Sequence, residues 1–269
     1  MTKLKLAPAF LVVLLILCGC KQEELEIENV FKPVLFEESG VTFSNELIPN
    51  DTLNYFNFGY YYMGAGVAIG DVNNDGLSDL YFSGNNVDNK LYLNQGDLKF
   101  KDVTDLAGVA GDRRWMNGVA ISDINADGLL DIYISVAGIW GNTENILYIN
   151  QGVNEEGIPV FNEEAELRGL NDNGLSIQTC FLDYDQDGDI DVFVANYENS
   201  SFDTLIPEYK RKMEHPNQKS SDHLYQNDGN GYFKDVTEEA GVLNFGLAAG
   251  VIASDFNNDN LTDIYVSND

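Results

Sequence analysis

The residues best equipped for chemistry are aspartates and asparagines at fixed spacing. Asp71, Asn73, Asp75 and Asp79 form a loop D-x-N-x-D-G-x-x-D, with Gly76 sixth and Leu77 seventh. The nine-residue pattern returns at Asp123–Asp131, Asp183–Asp191 and Asp255–Asp263. Side chains one, three and five can converge on one point. Glycine at six allows a tight turn, residue seven offers its carbonyl, and residue nine returns a carboxylate. Hard oxygen donors in that number favour Ca²⁺ over zinc or iron, and Mg²⁺ is less suited because it keeps its waters. The expected ligands are Asp71, Asn73, Asp75, Leu77 and Asp79, then Asp123, Asn125, Asp127, Leu129 and Asp131. The third loop offers Asp183, Asp185, Asp187, Asp189 and Asp191, and the fourth Asp255, Asn257, Asp259, Leu261 and Asp263. Up to four structural Ca²⁺ ions follow. The third loop, with Asp185 where the others have Asn, should be the most acidic. In the fourth, Asn260 replaces the glycine, and Asn tolerates the left-handed conformation.

Two other readings of the loops compete with this one. An EF-hand needs a bidentate Glu at position twelve. Position twelve here is Phe82, Ile134, Val194 and Val266, and the flanks are strand-like. Asx-rich hairpin turns can satisfy themselves without metal. Against that, the four loops hold thirteen Asp at positions one, three, five and nine, which repel one another unless neutralised.

The elements that must position these loops are short strands. Gly66–Gly70 leads into the first loop and Leu80–Ser83 leaves it. Leu91–Asn94, a turn at Gln95-Gly96-Asp97, and Phe100–Thr104 follow. Four short strands with turn signals, repeated along the chain, are the signature of a β-propeller blade. The strand before each loop is rich in small residues, as an innermost strand requires where blades converge. The strand after it is apolar on both faces, as stacked blades require. The second unit has a degenerate fourth strand, Phe161-Asn162-Glu163. The predicted fold is an all-β propeller of four-stranded antiparallel blades, about 64–105, 116–166, 176–237 and an incomplete 248–269, within a domain spanning 34–269. About three and a half blades are present, so the chain reads as the N-terminal part of a longer protein. Leu35–Val41 loosely echoes the fourth-strand pattern and is expected to help close the ring.

Loop-to-loop spacing is 52, 60 and 72 residues. The extra length of the third unit, Asn199–Asp222, carries Lys210-Arg211-Lys212 and His215, with His223 at its end. It reads as a solvated insertion, or as a lid or ligand loop. Asn54–Tyr62, rich in aromatics, reads as packing at the entry to the first blade, with a sugar-stacking platform as the sharper alternative. Trp115, Trp140 and Arg113-Arg114 lie in connections and read as surface residues. Cys180 reads as a small buried apolar residue in a column with Ala68, Ala120 and Ile252.

The net charge of −29 opposes phosphate binding, so no nucleic-acid partner is expected. Lys3 and Lys5 precede the apolar run Phe10–Leu17, which is too short to span a bilayer. It ends in Leu17-Cys18-Gly19-Cys20, which resembles a bacterial lipobox. That resemblance implies a signal peptide 1–20, lipidation at Cys20, and anchoring to the outer membrane or cell surface through the lipid alone. Residues 21–33 form an acidic tether. Its start, Lys21 followed by acidic residues, resembles a lipoprotein surface-export signal.

From about Phe36 onward the chain resembles the VCBS/FG-GAP repeat proteins, whose calcium-loop propellers are related to the integrin α-subunit head. Within these it most resembles the branch that includes cartilage acidic protein and bacterial ASPIC/UnbV-containing proteins. The resemblance rests on Gly66–Asp71 with its loop, Leu80-Tyr81-Phe82, Leu91–Asn94, Phe100–Thr104 and their later copies. It implies a seven-bladed propeller and binding or adhesion more often than catalysis. The expected function is a surface-anchored, calcium-stabilised scaffold for a glycan, protein or envelope component. The competing reading is a polysaccharide lyase or hydrolase on the same scaffold. No acid/base pair or nucleophile constellation stands out in the sequence.

Overall fold

Short apolar runs bounded by Gly, Asn and Asp form antiparallel strands in a computed structural model, which describes residues 31–198, 205–215, 221–244 and 247–268. Leu35–Asp269 forms one compact unit, and Met1–Val34 a second of which only 31–34 are described. Cys20, the signal peptide and most of the tether lie outside the described residues.

The first sheet contains β1 (Val67–Gly70), β2 (Asp79–Phe82), β3 (Lys90–Asn94) and β4 (Phe100–Asp102), in that spatial order. The second contains β5 (Met116–Ser122), β6 (Asp131–Val136), β7 (Ile146–Val153) and β8 (Pro159–Glu163). The third contains β9 (Ser176–Leu182), β10 (Asp191–Asn196), β11 (His223–Asn227) and β12 (Phe233–Asp235). β13 (Ala248–Ser254) and β14 (Asp263–Asn268) pair as a two-stranded sheet. The fold is all-β, with blade-like antiparallel sheets. Each aspartate loop closes the same hairpin, since Gly70 pairs with Asp79, Ser122 with Asp131, Leu182 with Asp191 and Ser254 with Asp263.

The core lies between successive sheets. Tyr81 and Leu91 pack with Ile132, Ile134 and Tyr148; Tyr133 and Leu147 with Val192 and Tyr225; Phe193 and Leu224 with Val251. β6 and β10, each between two sheets, are buried along their whole length, whereas β2 alternates. The first strands crowd one another backbone to backbone. A Cβ on Gly66 would lie 2.5 Å from the Asn117 carbonyl oxygen, and one on Gly118 2.7 Å from that of Ile177. This is the physical reason for small residues in that column.

After β4 and β8 the chain makes a helical turn, α2 (Thr104–Ala107) and α3 (Ala165–Arg168). Each ends on a glycine in the left-handed region, Gly108 and Gly169. Phe36–Ser39 (α1) makes the same turn and ends on Gly40. Gly40 sits against the Phe100 carbonyl as Gly169 sits against that of Phe233. The echo seen in Leu35–Val41 is therefore of this helical turn, not of a fourth strand. The insertion contains a helix, α4 (Ile206–Glu214), that sequence pattern did not suggest. Lys212 of α4 pairs with Glu198, N to O 2.5 Å. The degenerate fourth strand works by substitution. Just after β4 and β12, Thr104 and Thr237 accept the N–H of Leu91 and Leu224 while donating to Asp102 and Asp235. In β8 the longer Glu163 accepts the Leu147 and Ala165 N–H groups itself.

Candidate functional site

Each aspartate loop is built by its own side chains. In the first, Asp71 accepts the N–H of Asp75 at 3.1 Å and of Gly76 at 2.8 Å. Asp75 accepts that of Leu77 at 2.8 Å. The second loop repeats these bonds through Asp123 and Asp127, and the fourth through Asp255 and Asp259. Position six is left-handed throughout, including Asn260 at φ 66°. Position four, which sequence reading assigned no role, is also left-handed: Asn74, Ala126, Gln186 and Asn258.

The ninth aspartate faces inward. Asp79 accepts the Val72 N–H through Oδ2 and the Asn94 N–H through Oδ1. Asp131 and Asp191 do the same with Ile124 and Asn150, and with Tyr184 and Asn227. These carboxylates are buried. Burial pushes Asp79 up to about 6 and Asp131 to about 7, against the lowering effect of the N–H donors, and the first and fifth aspartates add repulsion. Asp191 is also raised by burial, with Asp185 and Asp187 adding repulsion. Each oxygen accepts one bond and keeps a second lone pair.

The strand-three asparagines tie the loops to the fold. Asn94, Asn150 and Asn227 donate through Nδ2 to the carbonyls of Ser78, Leu130 and Ile190 in their own loops. Asn150 also reaches the Val72 carbonyl, and Asn227 that of Ile124, in the loop of the preceding sheet. The recurrence of Asn after Leu-Tyr was visible in the sequence, but this bridging role was not.

In the third loop one carboxylate oxygen each of Asp183, Asp185 and Asp187 lies within 4.8 Å of the others. Asp189 Oδ1 is buried with no hydrogen-bond partner. Burial and the neighbouring Asp187 and Asp191 push Asp189 up to about 6. Converging carboxylates and an orphaned oxygen fit a hard divalent cation, which would relieve this repulsion.

The opposite face is set by strand direction, since β1 runs into its loop and β2 runs away from it. There Phe58 and Tyr61 of the Asn54–Tyr62 stretch are buried with Trp115 and Tyr197. Tyr55, Phe56 and Tyr62 of the same stretch are exposed. Trp115 is buried rather than a surface residue. Cys180 is half-buried against the neighbouring sheet, and burial pushes its thiol up to about 11. His223, one of two histidines in the chain, is buried beside Asp172, which also accepts the Tyr225 hydroxyl at 2.8 Å. Burial alone would raise Asp172, but the His223 hydrogen bond and charge hold it below the usual carboxylate range.

Sheets of this form, each hairpin closed by the same aspartate loop, define a propeller-like repeat scaffold. A family model described as FG-GAP-like repeat matches residues 71–134 and 183–266, more than half of the chain, and the chain belongs to that family. It is similar to cartilage acidic protein 1 of Mus musculus, at 26% identity over 215 residues, covering 77% of this chain and 29% of the relative. The Homo sapiens protein of that name is also 26% identical over 215 residues, with 28% of it covered. The T-cell immunomodulatory protein homolog of Plasmodium yoelii yoelii is 28% identical over 170 residues, 56% of this chain and 23% of that protein. The chain thus spans less than a third of the length of these relatives. Among the described residues no helix is long and apolar enough to cross a membrane.

Proposed function

We propose that the chain is a calcium-stabilised binding scaffold, held at the cell surface or outer membrane by lipid on Cys20. The single observation that carries this reading is the double attachment of the loops. The ninth aspartate and the strand-three asparagine fasten each complete loop to its own sheet, and Asn150 and Asn227 fasten it to the preceding one. A cation held there stabilises the stack of sheets and leaves the opposite face to engage a partner, a glycan or a protein of the envelope. Asp71, Asn73, Asp75, Asp79 and their counterparts would hold the ion, which supplies charge neutralisation and no chemical step. Calorimetric titration of metal-stripped protein with CaCl₂ tests this reading. Saturable binding is expected, with one site lost in the Asp183→Asn/Asp187→Asn double variant. Absence of saturable binding, or an unchanged stoichiometry in that variant, contradicts it.

A further inference from the structure

The face away from the aspartate loops carries a cleft of about 440 Å³, within the range of roughly 300–1,000 Å³ typical of small-molecule sites. Non-repeating segments build it: residues 50–53, the connection 112–115 between the first two sheets, and the β6–β7 connection at 140–142. Both tryptophans of the chain, Trp115 and Trp140, line it. Phe58 props them from below, edge-on to Trp115 at 5.2 Å and to Trp140 at 5.4 Å between ring centroids. Trp140 is 38% exposed and keeps part of its ring surface open. Trp115 is 3% exposed, yet its Nε1 has no hydrogen-bond partner in the structure. A buried indole N–H without a partner is costly, which leaves the wall of the cleft incompletely satisfied.

The polar groups of the cleft are held in place. Asn50 Oδ1 accepts the N–H of Thr52 at 2.9 Å and of Leu53 at 2.8 Å. Asn142 Oδ1 accepts that of Glu144 at 3.0 Å. These bonds fix which end of each amide is oxygen, so both NH₂ groups stand as oriented donors. The charges cancel locally. Arg113 pairs with Asp88 through two hydrogen bonds, 2.8 and 2.9 Å, and Arg114 pairs with Asp112 at 2.9 Å. An anion would find both guanidinium groups already occupied by carboxylates. An aliphatic side chain would leave the amide donors of Asn50 and Asn142 and the hydroxyl of Thr52 without partners. A pyranose ring matches better, with its C–H face on an indole and its hydroxyls on amide donors and carboxylate acceptors.

We propose that this cleft binds a neutral oligosaccharide, with Trp140 as the stacking surface and Asn50 and Asn142 as hydroxyl-directed donors. The proposal rests on the reading of the chain as a binding scaffold but not on calcium occupancy, so the two can fail separately. The test is intrinsic tryptophan fluorescence of the full chain in calcium buffer, which here reports on these two residues alone. The titrants are neutral gluco-, manno-, galacto- and xylo-oligosaccharides, with a sulfated oligosaccharide and an unstructured peptide as controls. A saturable change with at least one neutral sugar is expected. By calorimetry, Trp140→Ala should then weaken binding about tenfold or more, and Asn142→Ala about three- to tenfold, each measured below the variant's own melting midpoint. The Asn142→Ala arm stands if Trp140→Ala fails to fold. Silence across the neutral panel, saturation only by the sulfated sugar or the peptide, or undiminished affinity in the folded variants overturns the proposal.

Discussion

Position four of the aspartate loop shows how one side chain decides local stability. Asn74 donates to the carbonyl of Gly128 at 3.1 Å, and Gln186 to that of Asn260 at 2.8 Å, so each laces its loop to the next. Ala126 holds the same left-handed backbone with no side-chain donor and no tolerance for that conformation. Ala126→Asn should therefore raise stability by about 1 kcal/mol, read as a higher midpoint in urea with an unchanged slope. A second residue carries a pH dependence. Asp172, held below its ordinary value despite burial, stabilises the fold fully above the unfolded carboxylate pKa of about 3.9. That contribution is lost as pH falls through the lower folded value. Asp172→Asn, which breaks the buried pair with His223, should cost on the order of 3 kcal/mol at pH 5.5. In acid titrations followed by circular dichroism, the gap to wild type should close below about pH 4.

The strand-three asparagine is where element and assembly meet. Its Oδ1 caps the hairpin turn by accepting the N–H of Gly96, Gly152 or Gly229, and its Nδ2 holds the loop. Asn150 and Asn227 add a bond to the preceding sheet, and the bonds of Asn94 stay within its own. Asn150→Ala should thus cost about 2–3 kcal/mol, because it strands the buried Val72 carbonyl as well. Asn94→Ala should cost about 1 kcal/mol less. Equal losses in denaturant melts would show that the inter-sheet bond contributes nothing. Much at this scale was legible in sequence, since strand limits, loop positions and the small-residue column follow from periodicity and turn chemistry. The Leu35–Val41 turn was not, because a single helical turn carries too few residues for a periodic signal. α4 escaped for a different reason: it lies in a segment without a repeat partner, so no column aligned it. The double duty of Glu163 depends on side-chain reach, which a pattern of residue types does not encode.

For the whole molecule, repetition separates scaffold from function. The repeating residues, from the aspartate loops to the glycines that let first strands touch, are all engaged in holding sheets together. Among the described residues, several that do not repeat gather on the other face, where Trp115, Trp140 and Asn142 line one cleft. That convergence was not legible in the chain, because Asn50, Trp115 and Trp140 come from three connections joined only by the fold. Thirteen of the 44 acidic residues sit at the ligand positions of the loops, on one face, and a cation bound at each would lower their repulsion. At millimolar calcium, each occupied site should add roughly 1–2 kcal/mol to stability. The most direct test is thermal melting of the full chain in millimolar CaCl₂ and in excess chelator at constant ionic strength. A fall in Tm of roughly 10 °C or more on chelation is predicted, restored by calcium but not by equimolar magnesium. Identical melting curves with calcium and with chelator would contradict the account.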